Sequence, residues 1–365
     1  MKLWLAAFAA TWALGAQAGD ADMTAWTPLK ARIESGEIPG IHGVLVLVDG
    51  KTVVEWYFAG QDETIGERGP IALPRVAFDA DTLHDVRSVT KSVVSILFGI
   101  AHSEGAIKDL DAPVFDYFPE LADLRTPERM KVRVRDVLTM SSGLHWDERT
   151  YPYTDARNSE IAMDIAADPY RYVLSQTVDT PPGTRFNYSG GDVALVAAIV
   201  TRATGTPIET YAQRKLFGPL GIARFEWSKG NGIPRAASGL RLTPRDMGKI
   251  GVMMLGGGRW GSVQVVPQDW VVASTSQHIH VEGDPVCGTN YGYLWWLNGG
   301  CTSSPAAPSF AGIGNGGQRI WVVPSRKLVV AVTGGLYNDP KQAEAATTLL
   351  AGVLAAVDGG SSATP

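Results

Sequence analysis

The stretch Ser88-Val89-Thr90-Lys91-Ser92-Val93-Val94-Ser95-Ile96-Leu97-Phe98-Gly99-Ile100-Ala101-His102-Ser103-Glu104 decides the fold. Val89, Val93, Leu97 and Ile100 recur at helical spacing, and Val94, Ile96 and Phe98 add apolar side chains on the other faces. A helix that is apolar on most sides belongs inside a domain rather than on its surface. The pattern therefore predicts a buried central helix whose N-terminal end carries Ser-x-x-Lys. Positions i and i+3 share a helix face, so the Ser88 hydroxyl and the Lys91 amine can meet. A serine at a helix N-terminus also feels the positive end of the helix dipole, which favours developing negative charge. Lys91, beside Val93, Val94 and Leu97, is expected to be desolvated, and desolvation lowers an amine's pKa toward that of a useful base. Ser-x-x-Lys alone occurs by chance in many chains, as a capping serine and a surface lysine, so support has to come from elsewhere.

Outward from this helix, strands are predicted on both sides. Val44-Leu45-Val46-Leu47-Val48 and Thr52 to Phe58 flank the hairpin dipeptide Asp49-Gly50. Up to Asp85 the chain reads as a looser segment, with Gly69, Pro70 and Pro74. Between about Gly105 and Pro234 it reads as helices and loops, with helices at Val134–Met140 and Asp192–Thr204. A further helix is predicted at Leu242–Leu255, with Thr243 as N-cap, Pro244 at its first position and Gly256 at its end. Strands return at Gly292–Leu297, Arg319–Val323 and Leu328–Thr333, followed by a closing helix at Gln342–Val357. The fold class is α+β: an antiparallel sheet flanked by terminal helices, with a mostly helical insertion.

The chain has 365 residues, 45% of them hydrophobic and 19% charged, which suits a globular enzyme and excludes a wholly disordered chain. With 32 Lys plus Arg against 37 Asp plus Glu, the net charge is -5, so nothing points to nucleic acid. Met1-Lys2, the apolar run Leu3 to Gly15 and Ala16-Gln17-Ala18 read as a cleaved signal peptide over residues 1–18. No later stretch is apolar enough to span a bilayer. Export to an oxidising compartment makes Cys287 and Cys301 candidates for one disulfide, worth at most ~3 kcal/mol in the chain-entropy model.

Two other segments carry candidate chemistry. Pro182-Gly183-Thr184-Arg185-Phe186-Asn187-Tyr188-Ser189-Gly190-Gly191-Asp192 is a turn-rich loop entering a helix, where Tyr188 could shuttle protons. Gly312-Ile313-Gly314-Asn315-Gly316-Gly317-Gln318-Arg319 lets backbone lie close to a ligand, and its N–H groups could stabilise an oxyanion. His278 and His280 could share a strand face, but no third ligand stands near them, so no metal site is assigned. His145, Trp146, Trp295 and Trp296 could line a cleft, with local hydrogen bonding or core packing as the default for each. Asn187 to Gly191 approaches G-x-S-x-G but lacks its first glycine and a preceding strand, which argues against an α/β-hydrolase.

Taken in order, Ser88-x-x-Lys91, Tyr188 and Asn315-Gly316-Gly317 resemble the serine β-lactamase and penicillin-binding-protein superfamily. The likeness is to its class C-like branch of 6-aminohexanoate-dimer hydrolases and family VIII carboxylesterases. It extends to Val134–Leu144, Leu242–Met247 and Tyr291–Trp296, and covers about 43–357. The resemblance implies a β-lactamase/transpeptidase-like catalytic domain over 19–357, its α/β part about 25–104 and 240–357 and its helical part about 105–239, with 358–365 as a disordered tail. It implies Ser88 as the acyl-accepting nucleophile, Lys91 and Tyr188 as base and proton relay, and the N–H groups of Ser88 and Gln318 as oxyanion hole. Asn315, Gly316, Gly317 and Arg319 become candidates for substrate binding. Two positions depart from the pattern: Gly190 stands where many relatives have Asn, and Asn315 where they have Lys or His. If 315–319 is extended, Arg319 shares a face with Asn315 and offers a cation displaced by about 7 Å.

The expected function is an exported serine hydrolase cleaving a small ester or amide. No cofactor, metal, nucleic acid or stable membrane insertion is expected, and the sequence does not specify the oligomeric state. A D-alanyl-D-alanine carboxypeptidase or class C-like β-lactamase is the alternative within the same fold. A catalytically silent protein that binds peptidoglycan or a partner is the alternative from another class.

Overall fold

The computed structural model describes residues 23–66, 69–282, 290–298 and 308–361. The signal-peptide segment Met1–Ala18 and the Cys287–Cys301 pair lie outside the described residues. Among those described, one antiparallel sheet of eight strands runs through the molecule. Its strands are β1 (Ile41–Val48), β2 (Lys51–Tyr57), β3 (Ile279–His280), β4 (Asn290–Tyr291), β5 (Trp296–Leu297), β6 (Phe310–Gly314), β7 (Gln318–Val323) and β8 (Leu328–Gly334). In space they lie in the order β3-β4-β5-β6-β7-β8-β1-β2. Asp49 (φ 51°) and Gly50 (φ 74°) are both left-handed, as the tight β1–β2 turn requires. Closing the sheet places the two ends of the chain side by side, with Val44 opposite Val332.

The helices that position the site are α1 (Thr27–Glu34), α2 (Val89–Ser103), α3 (Ser159–Ile165), α4 (Gly190–Thr204), α5 (Pro244–Leu255), α6 (Gln268–Ser274) and α7 (Lys341–Ser361). Every residue of α2 from Val89 to Ala101 is buried, as its apolar faces demand. Backbone closeness marks where α2 and α5 meet the sheet. A side chain at Gly312 would meet Ser92 and Val89 of α2, and one at Gly251 of α5 would meet Ile320 and Val329. Gly312 and Ile320 are cross-strand partners, so both helices cover one face. The caps follow the residue types: Thr243 accepts from the Asp246 N–H, Ser189 from that of Asp192, and Gly205 ends α4 at φ 64°.

Four expectations need correction. The looser segment before Asp85 is a two-stranded ribbon, Ala59–Gly66 paired with Gly69–Ala77. It is largely solvated, so its sequence carries little of the apolar alternation that marks a strand. Gly292–Leu297 is not one strand. Leu294 has φ 60°, and the carbonyls of Tyr293 and Leu294 accept from Ser95 and Ser92 of α2, so the backbone bends between β4 and β5. Helices at Ser159–Ile165 and Pro169–Ser175 lie in the middle region beyond those predicted. The closing helix runs to Ser361, so 358–361 are helical rather than a disordered tail, and the Asp358 carboxylate pairs with Arg326.

Gly99 allows α2 to rest on α6, because an added Cβ would fall 2.0 Å from the Trp270 ring. Gly99→Ala gains ~1 kcal/mol of helix propensity but overpacks this contact by about 1–3 kcal/mol. The variant is expected to unfold at lower urea concentration than wild type with an unchanged m-value. A midpoint at or above wild type would contradict the packing.

Candidate active site

Ser88 occupies the position before the first turn of α2, and its hydroxyl caps nothing. It is therefore left for chemistry. The residue before it, Arg87, is held at φ 47°, a conformation costly for a side-chain-bearing residue. Three contacts hold it there: its N–H donates to Asp85 (2.9 Å), its guanidinium pairs with Glu63 (2.7 Å), and it lies 4.6 Å from the Tyr337 ring. The strained residue aims Ser88 out of the helix end into a cavity of about 560 Å³. Tyr188, Trp296, Ile313 and Asn315 share its wall.

One helical turn on, Lys91 is 2% exposed. Its Nζ donates to Ser88 Oγ at 3.2 Å and to the Ala237 carbonyl at 2.7 Å. The Tyr188 hydroxyl interacts with both Ser88 and Lys91, and its ring is stacked on Trp296 with centroids 6.1 Å apart. Ser88, Lys91 and Tyr188, far apart in sequence, thus form one cluster. Burial alone would lower the Lys91 pKa, as the sequence led us to expect. Electrostatic interaction with Tyr188, then with Glu160 and Glu148, outweighs it, and the pKa is pushed up to about 12. Lys91 is an ammonium at neutral pH, not a free amine. Burial, with Glu148 and Glu160, keeps the Tyr188 hydroxyl above its ordinary pKa despite Lys91, so Tyr188 is a neutral phenol.

Sequence reasoning missed Glu148 and Glu160. Both are buried, at 4% and 5% exposure. Glu148 accepts from Trp146 Nε1 (2.8 Å), Tyr153 Oη (2.8 Å) and the Gly190 N–H (2.7 Å), and Glu160 accepts from Ser238 Oγ (3.1 Å). Burial, then Glu160, holds the Glu148 carboxyl well above the usual carboxylate range. Glu160 is held below it, because Lys91, Glu148, Ser238 and Arg235 outweigh burial. The hydrogen bond between the two carboxyls raises Glu148 and lowers Glu160. One glutamate sits in a loop and the other on a helix, so no spacing rule ties them together.

The 312–319 segment divides. Asn315 lines the cavity beside Ser88, but its side chain is committed to Asn338 and Gln342. Gly316 and Gly317, at φ 95° and 103°, make the turn that puts it there. Gln318 is absent from the cavity wall: it pairs with Gly314 across the β6–β7 hairpin, and its buried amide spans to Gly334. Among the described residues the backbone N–H groups of Ser88 and Asn315 have no hydrogen-bond partner. Arg319 is not a displaced cation for substrate. It points to the face opposite Ile320, is 2% exposed, and donates to the carbonyls of Gly314 (3.1 Å) and Gln318 (2.8 Å). Burial lowers its pKa to about 10 against a small opposing effect of Tyr188. His145 is exposed on Asp179, and His278 stacks on Tyr293, both away from the cavity. Trp146 and Trp295 are buried, and Trp296 alone of these tryptophans lines the cavity.

Known proteins share the fold and parts of the sequence. The beta-lactamase family pattern matches residues 27–355. The chain is 27% identical over 276 residues to the 6-aminohexanoate-dimer hydrolase of Paenarthrobacter ureafaciens, covering 70% of this chain and 67% of that protein. It is 25% identical over 254 residues to the lovastatin esterase of Penicillium rubens, covering 64% and 59%. The chain thus spans about two thirds of the first relative's length and less than two thirds of the second's. The crystal structure of a family VIII carboxylesterase shares the fold, with a TM-score of 0.65 at 16% identity, over 92% of this chain and 99% of that one.

The burial of Arg319 changes what its removal should do. Arg319→Ala is expected to lower stability and to slow turnover of acidic and neutral esters by the same factor, measured as kcat/KM on a matched pair. A loss confined to the acidic ester would contradict the buried placement.

Proposed function

Because the chain belongs to the beta-lactamase family, we propose that it is a serine hydrolase that cleaves a small ester or amide through an acyl-enzyme on Ser88. The observation that carries this reading is the Ser88 hydroxyl, uncapped and 3.2 Å from the Lys91 ammonium, at the floor of an open cavity. Relatives that hydrolyse an amide dimer and an ester support the substrate class.

Ser88 Oγ attacks the scissile carbonyl carbon. Its proton passes to the Tyr188 oxygen as the proton of Tyr188 passes to the leaving oxygen or nitrogen. The Oγ–C bond forms, the bond to the leaving group breaks, and Tyr188 is a neutral phenol before and after. Lys91 stays an ammonium throughout and stabilises the charge that develops on Ser88 and Tyr188. The carbonyl oxygen turns toward the N–H groups of Ser88 and Asn315; this assigns Asn315 the place that the sequence suggested for Gln318. Water then attacks the acyl carbon, the new O–C bond forms as the Ser88 Oγ–C bond breaks, the water proton returns through Tyr188 to Oγ, and the acid product leaves.

The side chain of Asn315 is neutral and already bonded, so the cavity lacks the cation that this position would supply to a compact β-lactam carboxylate. The reading favours short esters or linear amides over penicillins. Export through the 1–18 segment belongs to the same proposal, and fractionation of the expressing cells tests it.

Ser88→Ala is expected to abolish turnover with an unchanged circular dichroism spectrum. Lys91→Ala and Tyr188→Phe should each lower kcat/KM by roughly 10³-fold or more, since residues acting as a unit fail together. p-Nitrophenyl acetate should be turned over and nitrocefin slowly or not at all. Ser88→Ala activity within tenfold of wild type, or efficient penicillin turnover without esterase activity, would overturn the proposal.

A further inference from the structure

Among the described residues, no carboxylate is in direct contact with Lys91. Its Nζ donates to the Ser88 hydroxyl and the Ala237 carbonyl and meets the Tyr188 hydroxyl, all neutral groups. Yet it is enclosed at the N-terminal end of a buried helix, where an uncompensated ammonium would lose its proton. Something close by must hold that charge.

The residues around it show what does. Ala237 and Ser238 are consecutive; the Ala237 carbonyl accepts from Lys91, and the Ser238 hydroxyl donates to Glu160. Lys91 and Glu160 therefore flank a single peptide unit. On the other side stands Gly190. Its N–H donates to Glu148, and a Cβ added there would fall 2.6 Å from Glu160 Oε2. Any side chain at 190 would collide with the Glu160 carboxylate. Gly190 has a negative φ and begins a helix, so its backbone does not require glycine. What a side chain there would meet first is the Glu160 carboxylate, which would have to shift.

We propose that Glu160, backed by Glu148, is the fixed counter-charge that holds Lys91 as an ammonium, in the space that Gly190 leaves open. Glu160 touches no reacting atom and acts through Lys91, so it is a positioning residue. The inference rests on the Ser88 mechanism above. The charged and titratable groups around the pair are few. Lys91 comes from α2, Tyr188 from the loop before α4, Arg149 and Tyr153 from the 146–153 loop, Asp164 from α3 and Arg235 from the loop leading to Ser238. Asp164 pairs with Arg235, while Glu160 is joined to Lys91 through the Ala237–Ser238 segment.

The sign of the effect is fixed. Lys91 works as a cation, so rate is lost as pH rises through its pKa. Removing the counter-charge leaves burial unopposed and lowers that pKa, moving the alkaline limb down in pH. The test is the rate of Ser88 phosphonylation by a fluorophosphonate between pH 6 and pH 11. It is measured on the full chain for wild type, Glu160→Gln, Glu148→Gln/Glu160→Gln and Gly190→Ala. We expect the wild-type limb to lie above pH 10 and the limb of the double variant at least one unit lower. Glu160→Gln should shift in the same direction, and by less if Glu148 takes over the charge. Gly190→Ala keeps both glutamates but displaces the Glu160 carboxylate, and its limb should also move down. Variants that lose rate while their limbs stay in place would overturn the proposal and leave the Ser88 mechanism standing. A wild-type protein that is not labelled at Ser88 would overturn both.

Discussion

A buried ammonium is the constraint around which the site is arranged. Lys91 projects from a helix whose surroundings are otherwise apolar, and it keeps its charge at 2% exposure. Taking such a group out of water costs several kcal/mol unless charge and hydrogen bonds replace the water. The replacements come from four separate places in the chain: the Ser88 hydroxyl, the Ala237 carbonyl, the Glu148–Glu160 carboxyl pair and the Tyr188 hydroxyl. All but Ser88 need another segment of the chain to arrive at the end of α2. The helical region between the two sheet-forming parts of the chain supplies most of them, which gives that region a purpose beyond covering α2.

The same constraint separates roles that a cluster of Ser, Lys and Tyr leaves open. A lysine made neutral by burial would be a base. In the proposed mechanism, one held charged by a carboxylate is an electrostatic element, and the proton travels through the tyrosine. The hairpin on the far side of the cavity completes the arrangement. Arg319, buried beneath it, ties the carbonyls of Gly314 and Gln318, while Gln342 receives the Gly316 N–H. These bonds fix the turn that presents the Asn315 N–H. Together with the strain stored at Arg87, they define the space in which a carbonyl can sit between Ser88 and Asn315.

Much of this was legible in the sequence. The apolar spacing of α2, the Asp49-Gly50 turn, the Thr243 cap and the Gly205 stop are local signals, and the structure follows them. Ser88, Lys91 and Tyr188 were legible because two of them sit one helical turn apart and the third in a loop entering a helix. What was not legible depends on tertiary contact. The bend at Gly292–Trp295 exists because Ser92 and Ser95 take its carbonyls. Strand alternation put Arg319 on the face of Asn315 but could not say that the face is covered. Gly190 reads as a missing amide, and its meaning emerges only with Glu160 beside it. The direction of the Lys91 shift was misread for the same reason: burial is visible in a sequence, whereas the groups that outweigh it, Tyr188, Glu160 and Glu148, lie 97, 69 and 57 positions away.

The central claim is that catalysis proceeds through an ester bond to Ser88, and the most direct measurement is mass spectrometry of the protein quenched in acid during turnover of a slow ester. The account predicts an added mass equal to the acyl group, on the peptide that begins at Ser88, appearing no more slowly than the first turnover. Turnover with no acyl mass on that peptide, or with the acyl group on another residue, would contradict it.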